Sequence, residues 1–410
     1  MLTNLAFLLF LAGVVWLFYV YCGYAICLWT LGLFRRVHTS IDLDFLPTVS
    51  VVISARNEER DIAWKVRETL AWDYPPDRLQ LLVASDASED RTDEILRSFS
   101  DPRLQYVRMP LRIGKNAALN RLVSMATGDL LLFTDANSHI AASCLRKLVR
   151  HFADERVGCV TGAEENALEH NREMVPAGGR AFLNYEALIK SLEGRLGSVL
   201  VCDGAIFIQR RSLFVELRPE LANDLELPLY IGAAGKWILY ELGARSLERT
   251  TRSAREEFAR RRRIVAQGTL GMWKLRSCLR GLRAWQFLSH KLLRWLALVP
   301  LALVLVSSIF LARSPVFAWA LGLQGLFYAS GFAGWLLDRT GVQGFSVLAM
   351  AYYFVLANLA ALRGFVDGCT GRRFSTWEIA SLSRGQRQAD GNKKSVGRHI
   401  SSPPMSEGEP

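Results

Sequence analysis

The chain contains apolar runs of two lengths, separated by polar positions, and the longer runs indicate membrane helices. Residues 5–34 form an almost uncharged run that carries several Trp and Tyr residues and is followed at once by Arg35 and Arg36. A signal peptide has an apolar core of only about 7–15 residues, so this run is too long to be one. It predicts a retained membrane helix with the following residues on the cytoplasmic side.

Three more candidate spans follow nearer the C-terminus, at residues 287–312, 315–337 and 345–362. The first is expected to begin in the membrane interface, because polar side chains interrupt its opening turns. Four spans would bring the C-terminus out on the opposite side, yet seven Lys or Arg residues follow Thr370 and favour the cytoplasm. The C-terminal topology therefore stays open at this stage.

Shorter apolar runs alternate with amphipathic stretches between the first span and the later ones. Strand-like runs lie at residues 49–55, 79–85, 104–108, 130–134 and 157–161. Helix-like stretches lie at residues 58–70, 90–99, 115–126 and 141–152. Strands that alternate with helices of this length predict an α/β fold with a mostly parallel sheet covered on both faces.

Charge and cysteine usage narrow the class of protein. The formal net charge is +11, but residues 252–294 hold twelve Lys or Arg and only two acids, so most of the excess lies beside a candidate span. Such a block is typical of a membrane-surface or anion-binding segment, and nucleic acid is not an expected partner. Half of the residues are hydrophobic, and the seven cysteines form no CxxC pair. A disulfide scaffold or a zinc site is therefore not expected.

Polar residues follow the predicted strands at places where a parallel sheet binds its ligands. Asp86 comes after the second predicted strand and Asp135 after the fourth, with Asn137 two residues later. Such residues often only cap helices. Two aspartates at neighbouring strand ends nevertheless favour a ligand role.

The motifs at these strand ends occur in an order that resembles the family 2 glycosyltransferases with a GT-A fold. They resemble most the cellulose, chitin and hyaluronan synthase-like group, which has membrane helices on both sides of the catalytic domain. The resemblance covers about residues 48–300 and is carried by VSVVISARNEE, LLVASDASEDRT, GKNAALN and GDLLLFTDANS.

The resemblance implies a nucleotide-sugar donor, UDP-linked in this group, and a divalent cation, Mg²⁺ or Mn²⁺. At the family's DxD position Asp135 and Asn137 would be the metal ligands, with a neutral amide where a second carboxylate is usual. The implied donor-binding residues, for the base, the nucleoside and the diphosphate, are Ala55, Arg56, Glu58, Asp86, Lys115, Arg260 and Arg263.

On the acceptor side, the resemblance implies that Asp224 is the general base of an inverting transfer, with Glu226 as a weaker candidate. Asp203 and Gly204 would bind the acceptor, although Asp203 could equally cap a turn. Ile264 stands where processive synthases carry a Trp, which counts against processive chain extension.

Three functions remain open at this stage. The first is a membrane-bound hexosyltransferase that makes a polysaccharide or other envelope glycan at the bacterial inner membrane, with its catalytic domain in the cytoplasm and a glycan or lipid acceptor. The second is transfer of a single sugar to a polyprenyl phosphate lipid, and the third is a non-catalytic scaffold. The predicted regions are a membrane helix at 1–36, a GT-A domain at 37–250, a basic interfacial segment at 251–286, about three spans at 287–365, and a polar tail at 366–410.

Overall fold

The computed structural model describes residues 2–167, 174–249, 253–340, 346–372 and 374, and a mixed sheet lies at its centre. Within these ranges the sheet has eight strands in the order β3-β2-β1-β4-β7-β6-β8-β5. The strands are β1 Val49–Ala55, β2 Leu79–Ser85, β3 Leu104–Arg108, β4 Leu130–Phe133, β5 His139–Ile140, β6 Val157–Ala167, β7 Phe207–Arg210 and β8 Trp237–Arg249.

Helices cover the sheet and extend the chain at both ends. Fourteen α-helices lie within the described ranges. They are α1 Leu2–Phe18, α2 Tyr24–Phe34, α3 Ile62–Leu70, α4 Thr92–Arg97, α5 Lys115–Val123, α6 Cys144–Val149, α7 Met174–Arg195, α8 Asn223–Ala233, α9 Ala254–Lys274, α10 Leu282–Gln286, α11 Leu293–Trp295, α12 Leu298–Leu311, α13 Pro315–Thr340 and α14 Ser346–Cys369.

One half of the sheet is parallel, as the sequence predicts. β1 pairs in parallel with β2 and with β4, and β2 pairs in parallel with β3. Every residue of β1 is buried, because α3 and α6 pack on one face of this half and α5 packs on the other. Burial on both faces explains why these strands are continuous apolar runs without polar alternation.

The other half of the sheet is mixed, which makes the whole sheet less parallel than the sequence suggests. β7 pairs antiparallel with both β4 and β6, β8 pairs in parallel with β6, and β5 pairs antiparallel with β8. The predicted strand at residues 157–161 is confirmed and extends to Ala167. β7 and β8 escaped prediction because both strands mix apolar with charged residues.

The first predicted helix is shorter than expected for a physical reason. It begins at Ile62, four residues later than the apolar pattern suggests. Residues before it bond to the segment after β2: the backbone N–H of Glu58 donates to Thr92 Oγ1 at 2.8 Å, and that of Glu59 donates to Asp90 Oδ2 at 3.1 Å. These bonds hold Glu58 and Glu59 against that segment, and a single turn, in which Asp61 and Ile62 donate to the Glu58 carbonyl oxygen, precedes the helix.

Among the described residues, three helices are long and apolar enough to cross a membrane, by length and composition alone. They are the N-terminal run Leu2–Phe34, in which the π-helical turn Tyr19–Gly23 joins α1 to α2, then α13, and then Val347–Cys369 within α14. A fourth candidate is the pair Leu282–Trp295 and Leu298–Leu311, which is bent by 55°. This bend lies at residues 296–297, just after the polar side chains that interrupt the predicted span.

Two predicted boundaries meet the structure only in part. α14 continues to Cys369, so the start of the predicted tail at residue 366 is still helical. The junction at residues 250–251 and the rest of the tail from residue 375 lie outside the described residues. The cytoplasmic location that the basic residues of the tail favour therefore stays a prediction.

Gly128 lets the β4 segment approach β1, and this gives a test of the fold. A Cβ atom at Gly128 would lie 2.5 Å from Ser50 N and 2.8 Å from the Val49 carbonyl carbon, which are backbone atoms that cannot turn aside. We expect Gly128→Ala to destabilise the protein by about 1–3 kcal/mol and to lower the thermal unfolding midpoint in detergent. Gly322→Ala is the matched control, because a Cβ there meets no atom within 4 Å. Equal midpoints for the two variants would contradict this packing.

Candidate functional site

The pairing of β4 with β7 brings distant parts of the chain to one edge of the sheet. β1, β2 and β4 end at this edge, and β7 begins there because Phe207 lies opposite Phe133 in the antiparallel register. Residues just after β4 therefore lie near residues just before β7. The C-terminal parts of β6 and β8 extend toward the same edge.

Arg56, at the end of β1, ties together the first two predicted donor-binding loops. Its guanidinium donates to the carbonyl oxygens of Asp86 at 2.7 Å and Ala87 at 2.9 Å, and it pairs with Glu89 at 3.1 Å. Ala55 and Glu58 are both buried beside it. These predicted residues thus lie together, and Arg56 already has a structural role in holding the loop after β2.

Asp86 is fully buried and anchors the loop that leads into α5. Its Oδ1 accepts the backbone N–H of Ile113 at 2.8 Å, and its Oδ2 accepts that of Gly114 at 3.0 Å. Gly114 has a φ of +93°, a conformation that suits glycine. A carboxylate has about four acceptor positions, so both oxygens keep capacity for a further donor.

Asp135, the predicted metal ligand, forms an ion pair with Lys115 across this edge. Lys115 Nζ lies 2.5 Å from Asp135 Oδ1, and the Asp135 side chain is about one-third exposed. Burial opposes the charge on Lys115, but the Asp135 carboxylate outweighs it and raises the pKa of the lysine. The ion pair thus joins the segment after β4 to the start of α5.

Asp135 and Asn137 would supply two oxygen ligands to a divalent cation, and a bound phosphate group would supply others. Across the described part of the chain, no group of three or more His, Cys, Asp or Glu side chains could hold a metal by itself. Magnesium-type sites usually use one or two carboxylates together with substrate phosphates. Asp135 already has a cation, the Lys115 ammonium, against its carboxylate. Asn137, two residues on and half-buried, offers a second oxygen.

Asp224 and Gly204 face each other at the same edge. Asp224 lies in the first turn of α8, and a Cβ at Gly204 would be 3.4 Å from its Oδ2. The backbone N–H of Cys202 donates to the Asp224 carbonyl oxygen at 2.9 Å, which fixes the start of α8 against this segment. Gly204 therefore lies directly beside the predicted base, and no side chain separates its backbone from Oδ2.

Burial raises the pKa of the Asp224 carboxyl group, although the charges of Lys115 and Lys190 oppose that shift. Asp203 is 5% exposed, and burial raises its pKa to about 7 against the opposing charge of Lys190. Its Oδ1 also accepts the backbone N–H of Ala205 at 3.2 Å. The turn-capping interpretation of Asp203 is thus observed, while acceptor binding stays a prediction.

Glu226, the weaker candidate for a base, points to a different neighbour. Its side chain is fully buried, its Oε2 accepts the backbone N–H of Arg218 at 3.1 Å, and its Oε1 lies 3.7 Å from Arg218 Nε. Glu226 therefore holds the chain before α8, while Asp224 faces Gly204.

Arg260 and Arg263 on α9 reach the site from the side of the candidate membrane helices. Arg260 pairs with Glu164 on β6 at 3.3 Å, and that carboxylate raises the pKa of the arginine. Burial and the charge of Arg260 lower the pKa of Arg263, against the carboxylates of Asp224 and Asp135. Arg263 thus lies close enough to Asp224 and Asp135 to be affected by their charges. Arg260 forms an ion pair within the chain.

Three residues of this charged cluster were missed by the sequence analysis: Glu164 on β6, Lys190 on α7 and Glu248 on β8. Burial and the charge of Glu164 raise the pKa of Glu248 well above its ordinary range. For Lys190, the charges of Asp203 and Glu186 overcome the effect of burial and raise the pKa. None of the three stands in a motif, and only strand pairing and helix packing bring them to this edge.

Comparison with known proteins agrees with the motifs. Residues 50–218 match the family model described as Glycosyl transferase family 2. Over 186 residues the chain is 27% identical to an N-acetylglucosaminyltransferase of Rhizobium meliloti, covering 44% of this chain and 43% of the relative. Over 118 residues it is 33% identical to a beta-monoglucosyldiacylglycerol synthase of Synechocystis, covering 28% of this chain and 25% of the relative. The chain thus matches less than half the length of these relatives.

A solved structure shows the same fold over most of the chain. It is the mannosyltransferase PcManGT from Pyrobaculum calidifontis, in complex with GDP-Man and Mn²⁺. The TM-score is 0.68 at 20% sequence identity, and the match covers 91% of this chain and 100% of that one. This likeness confirms the predicted GT-A-like α/β fold.

The raised pKa of Asp203 predicts a pH dependence of stability. Its carboxyl group titrates near 7 in the folded protein but near 3.8 when unfolded, so the folded state holds an extra proton between these values. The resulting stabilisation is complete below about pH 4 and is lost as the pH rises through about 7. We expect the thermal midpoint of the wild type, relative to Asp203→Asn, to fall between pH 5 and pH 8.

Asp77→Asn, in an exposed turn, is the control for this measurement. Its midpoint relative to the wild type should not change over the same pH range. If the difference between the wild type and Asp203→Asn is also constant, Asp203 does not titrate between pH 5 and pH 8 and the prediction is wrong.

Proposed function

The chain carries a family 2 glycosyltransferase domain, and we propose that it is an inverting, membrane-bound hexosyltransferase that transfers a sugar from a nucleotide-sugar donor to a glycan or lipid acceptor. One observation supports this proposal above the others. The Asp135–Lys115 ion pair and the Asp224–Gly204 contact lie in one half-buried charged cluster at the edge where the parallel strands end. A donor group and an acceptor group can meet there.

On the donor side, the position of each predicted residue supports a role in binding one portion of the nucleotide sugar. Asp86 and Arg56 lie where the nucleoside would bind, at the ends of β2 and β1. The diphosphate would lie against Lys115, beside the ion pair that this lysine forms with Asp135. A divalent cation, Mn²⁺ or Mg²⁺, would be held there by Asp135 and Asn137 and would supply charge stabilisation to the leaving diphosphate. UDP is the proposed nucleotide.

On the acceptor side, Asp224 would accept the proton of the attacking hydroxyl group. Burial raises the pKa of this carboxyl group, which brings a carboxylate base closer to the working pH. Gly204 leaves room for a sugar hydroxyl beside Oδ2. One base on one face of the anomeric carbon is what an inverting displacement needs. Arg263 would stabilise the released diphosphate, since a guanidinium matches phosphate oxygens well.

The candidate membrane helices support a membrane location, which we propose to be the bacterial inner membrane with the site facing the cytoplasm. α14 packs along α9, the helix that carries Arg260 and Arg263. A polysaccharide or other envelope glycan is the proposed product. A product assembled at such a place could remain beside the membrane during synthesis.

Transfer of one sugar to a lipid, such as a polyprenyl phosphate, is the second candidate. Ile264, at the position where processive synthases carry a Trp, is 47% exposed and offers no aromatic ring to a sugar. The name of the Synechocystis relative, a diacylglycerol glycolipid synthase, is consistent with a lipid acceptor. The length of the product separates the two: a ladder of oligomers would exclude single transfer.

The proposal is tested on the full chain purified in detergent. A panel of nucleotide sugars is incubated with and without Mn²⁺ or Mg²⁺, and release of nucleoside diphosphate is followed. We expect cation-dependent release from one member of the panel. If no member is hydrolysed, bound, or used with added lipid or glycan acceptors, the enzymatic proposal is wrong and the non-catalytic scaffold is favoured.

Asp224→Asn should lower the turnover rate by about 100- to 10,000-fold, because a general base contributes rate enhancement of that size. The dissociation constant for the nucleotide should stay close to that of the wild type. Glu226→Gln is the comparison, since its side chain faces Arg218. If Glu226→Gln loses turnover and Asp224→Asn keeps it, the base has been assigned to the wrong carboxylate.

Asp135→Ala should remove the response of activity to divalent cations and lower turnover by about 100-fold or more, a loss of about 3 kcal/mol in transition-state stabilisation. The measurement is the activity as a function of Mn²⁺ concentration, and Asp77→Ala is the exposed control. A wild-type Mn²⁺ response in Asp135→Ala would show that Asp135 is not the ligand.

A further inference from the structure

A fully buried lysine lies directly behind the turn that carries the two predicted cation ligands. Lys65, on α3, has a side chain that is 0% exposed. Its Nζ donates to Thr134 Oγ1 at 3.0 Å, to the Ser138 carbonyl oxygen at 2.7 Å and to Ser138 Oγ at 3.2 Å. An ammonium group has three N–H donors, and here each finds an acceptor at one end or the other of the same turn.

The turn at residues 134–138 is closed by its own end residues. Ser138 Oγ lies 2.9 Å from Thr134 Oγ1 and donates to the Asp135 carbonyl oxygen at 2.8 Å. Thr134 and Ser138 are both buried, while the residues between them include Asp135 and Asn137. The two anchors thus bracket the two predicted ligands, and Lys65 joins the anchors to α3.

Lys65 and this turn depend on each other energetically. A buried ammonium without partners is very costly, so its position in the core requires the acceptors that the turn supplies. Glu68, one helical turn along α3, lies 3.9 Å from Nζ and offsets part of its charge. If the turn opened, Lys65 would lose its acceptors at once, and this cost keeps the turn closed.

We propose that Lys65 is a positioning residue that fixes this turn so that Asp135 and Asn137 present their oxygen atoms together to a divalent cation. The inference rests on the proposed function, because it concerns the cation that would accompany the donor. It goes further because it assigns the geometry of the cation site to a residue on α3 that stands in no motif and whose side chain is fully buried.

The charge of Lys65 and its hydrogen bonds to the turn have opposite effects on cation binding. The direction in which a mutation changes the affinity therefore shows which of the two effects is larger. A positive charge behind the turn repels a cation, and removing it would tighten binding if charge dominated. Glu68 and the three acceptors reduce that repulsion. Loss of the three hydrogen bonds releases both ends of the turn, and we therefore expect the geometric effect to dominate.

The test is the affinity of the full chain in detergent for Mn²⁺ alone, measured by electron paramagnetic resonance of free Mn²⁺ in a titration. Lys65→Met keeps the length of the side chain and removes its three donors. We expect the dissociation constant for Mn²⁺ to rise by about 10-fold or more, as is usual when a group that orients metal ligands is lost. The affinity for UDP measured without metal should not change.

Lys147→Met is the matched control, because Lys147 also donates to a backbone carbonyl, that of Gly243, but at a different place. Its dissociation constant for Mn²⁺ should equal that of the wild type. A lysine with a merely structural role would lower the thermal midpoint of the metal-free protein and leave the affinity for Mn²⁺ unchanged. An unchanged or tighter dissociation constant in Lys65→Met would therefore overturn the proposal.

Ser138→Ala keeps the experiment decisive if Lys65→Met does not fold. It removes the hydroxyl that accepts from Lys65 and donates to the Asp135 carbonyl oxygen, and we expect a smaller weakening, of a few fold. Wild-type affinity in Ser138→Ala would overturn the proposal. If the wild type itself binds no Mn²⁺, alone or with UDP, the cation step of the proposed function is wrong and this inference falls with it. If the wild type binds Mn²⁺ and Lys65→Met binds it equally well, this inference is overturned and the proposed function is not.

Discussion

Compensation of buried charge at one edge of the sheet is the constraint on which the rest of the structure depends. Removing a charged group from water is costly unless another charge or a set of hydrogen bonds replaces the water. At this edge Lys115 pairs with Asp135, Arg260 pairs with Glu164, and Lys65 uses all of its donors on the turn after β4. The loops at the strand ends are held where they are because each of these groups needs its partner.

The change of strand direction in the sheet explains why these partners meet. In the parallel half, the loops that carry the predicted donor-side residues follow the ends of β1, β2 and β4. The antiparallel pairing of β4 with β7 then returns the chain to the same edge, with Asp203 and Gly204 just ahead of β7. A wholly parallel sheet would place the start of the next strand at the far edge. The acceptor-side residues would then lie on the wrong side of the sheet.

The candidate membrane helices also belong to this arrangement. α14 packs closely on α9, and a Cβ at Gly364 would collide with the Arg262 backbone, so the two helices approach at that glycine. A second buried network joins α7 to the bent helix pair and to α2: His290 Nδ1 lies 2.9 Å from Glu193 on α7, which also accepts from the Tyr24 hydroxyl at 2.7 Å. The charged edge is therefore fixed from one side by the sheet and from the other by the apolar helices.

The sequence by itself determined the parallel half of the sheet, the candidate spans and the polar residues that follow the strands. Apolar runs buried on both faces, turns that follow them and long uncharged stretches are local patterns, and local patterns are visible in one dimension. Only the tertiary structure decided the surroundings of four charged residues: Lys65, Glu164, Lys190 and Glu248. Each is a charged residue within an otherwise ordinary strand or helix, and its importance comes from a neighbour distant in sequence, such as Thr134 for Lys65. The same is true of Asp203 and Asp224, whose raised pKa values arise from burial that only the folded chain creates.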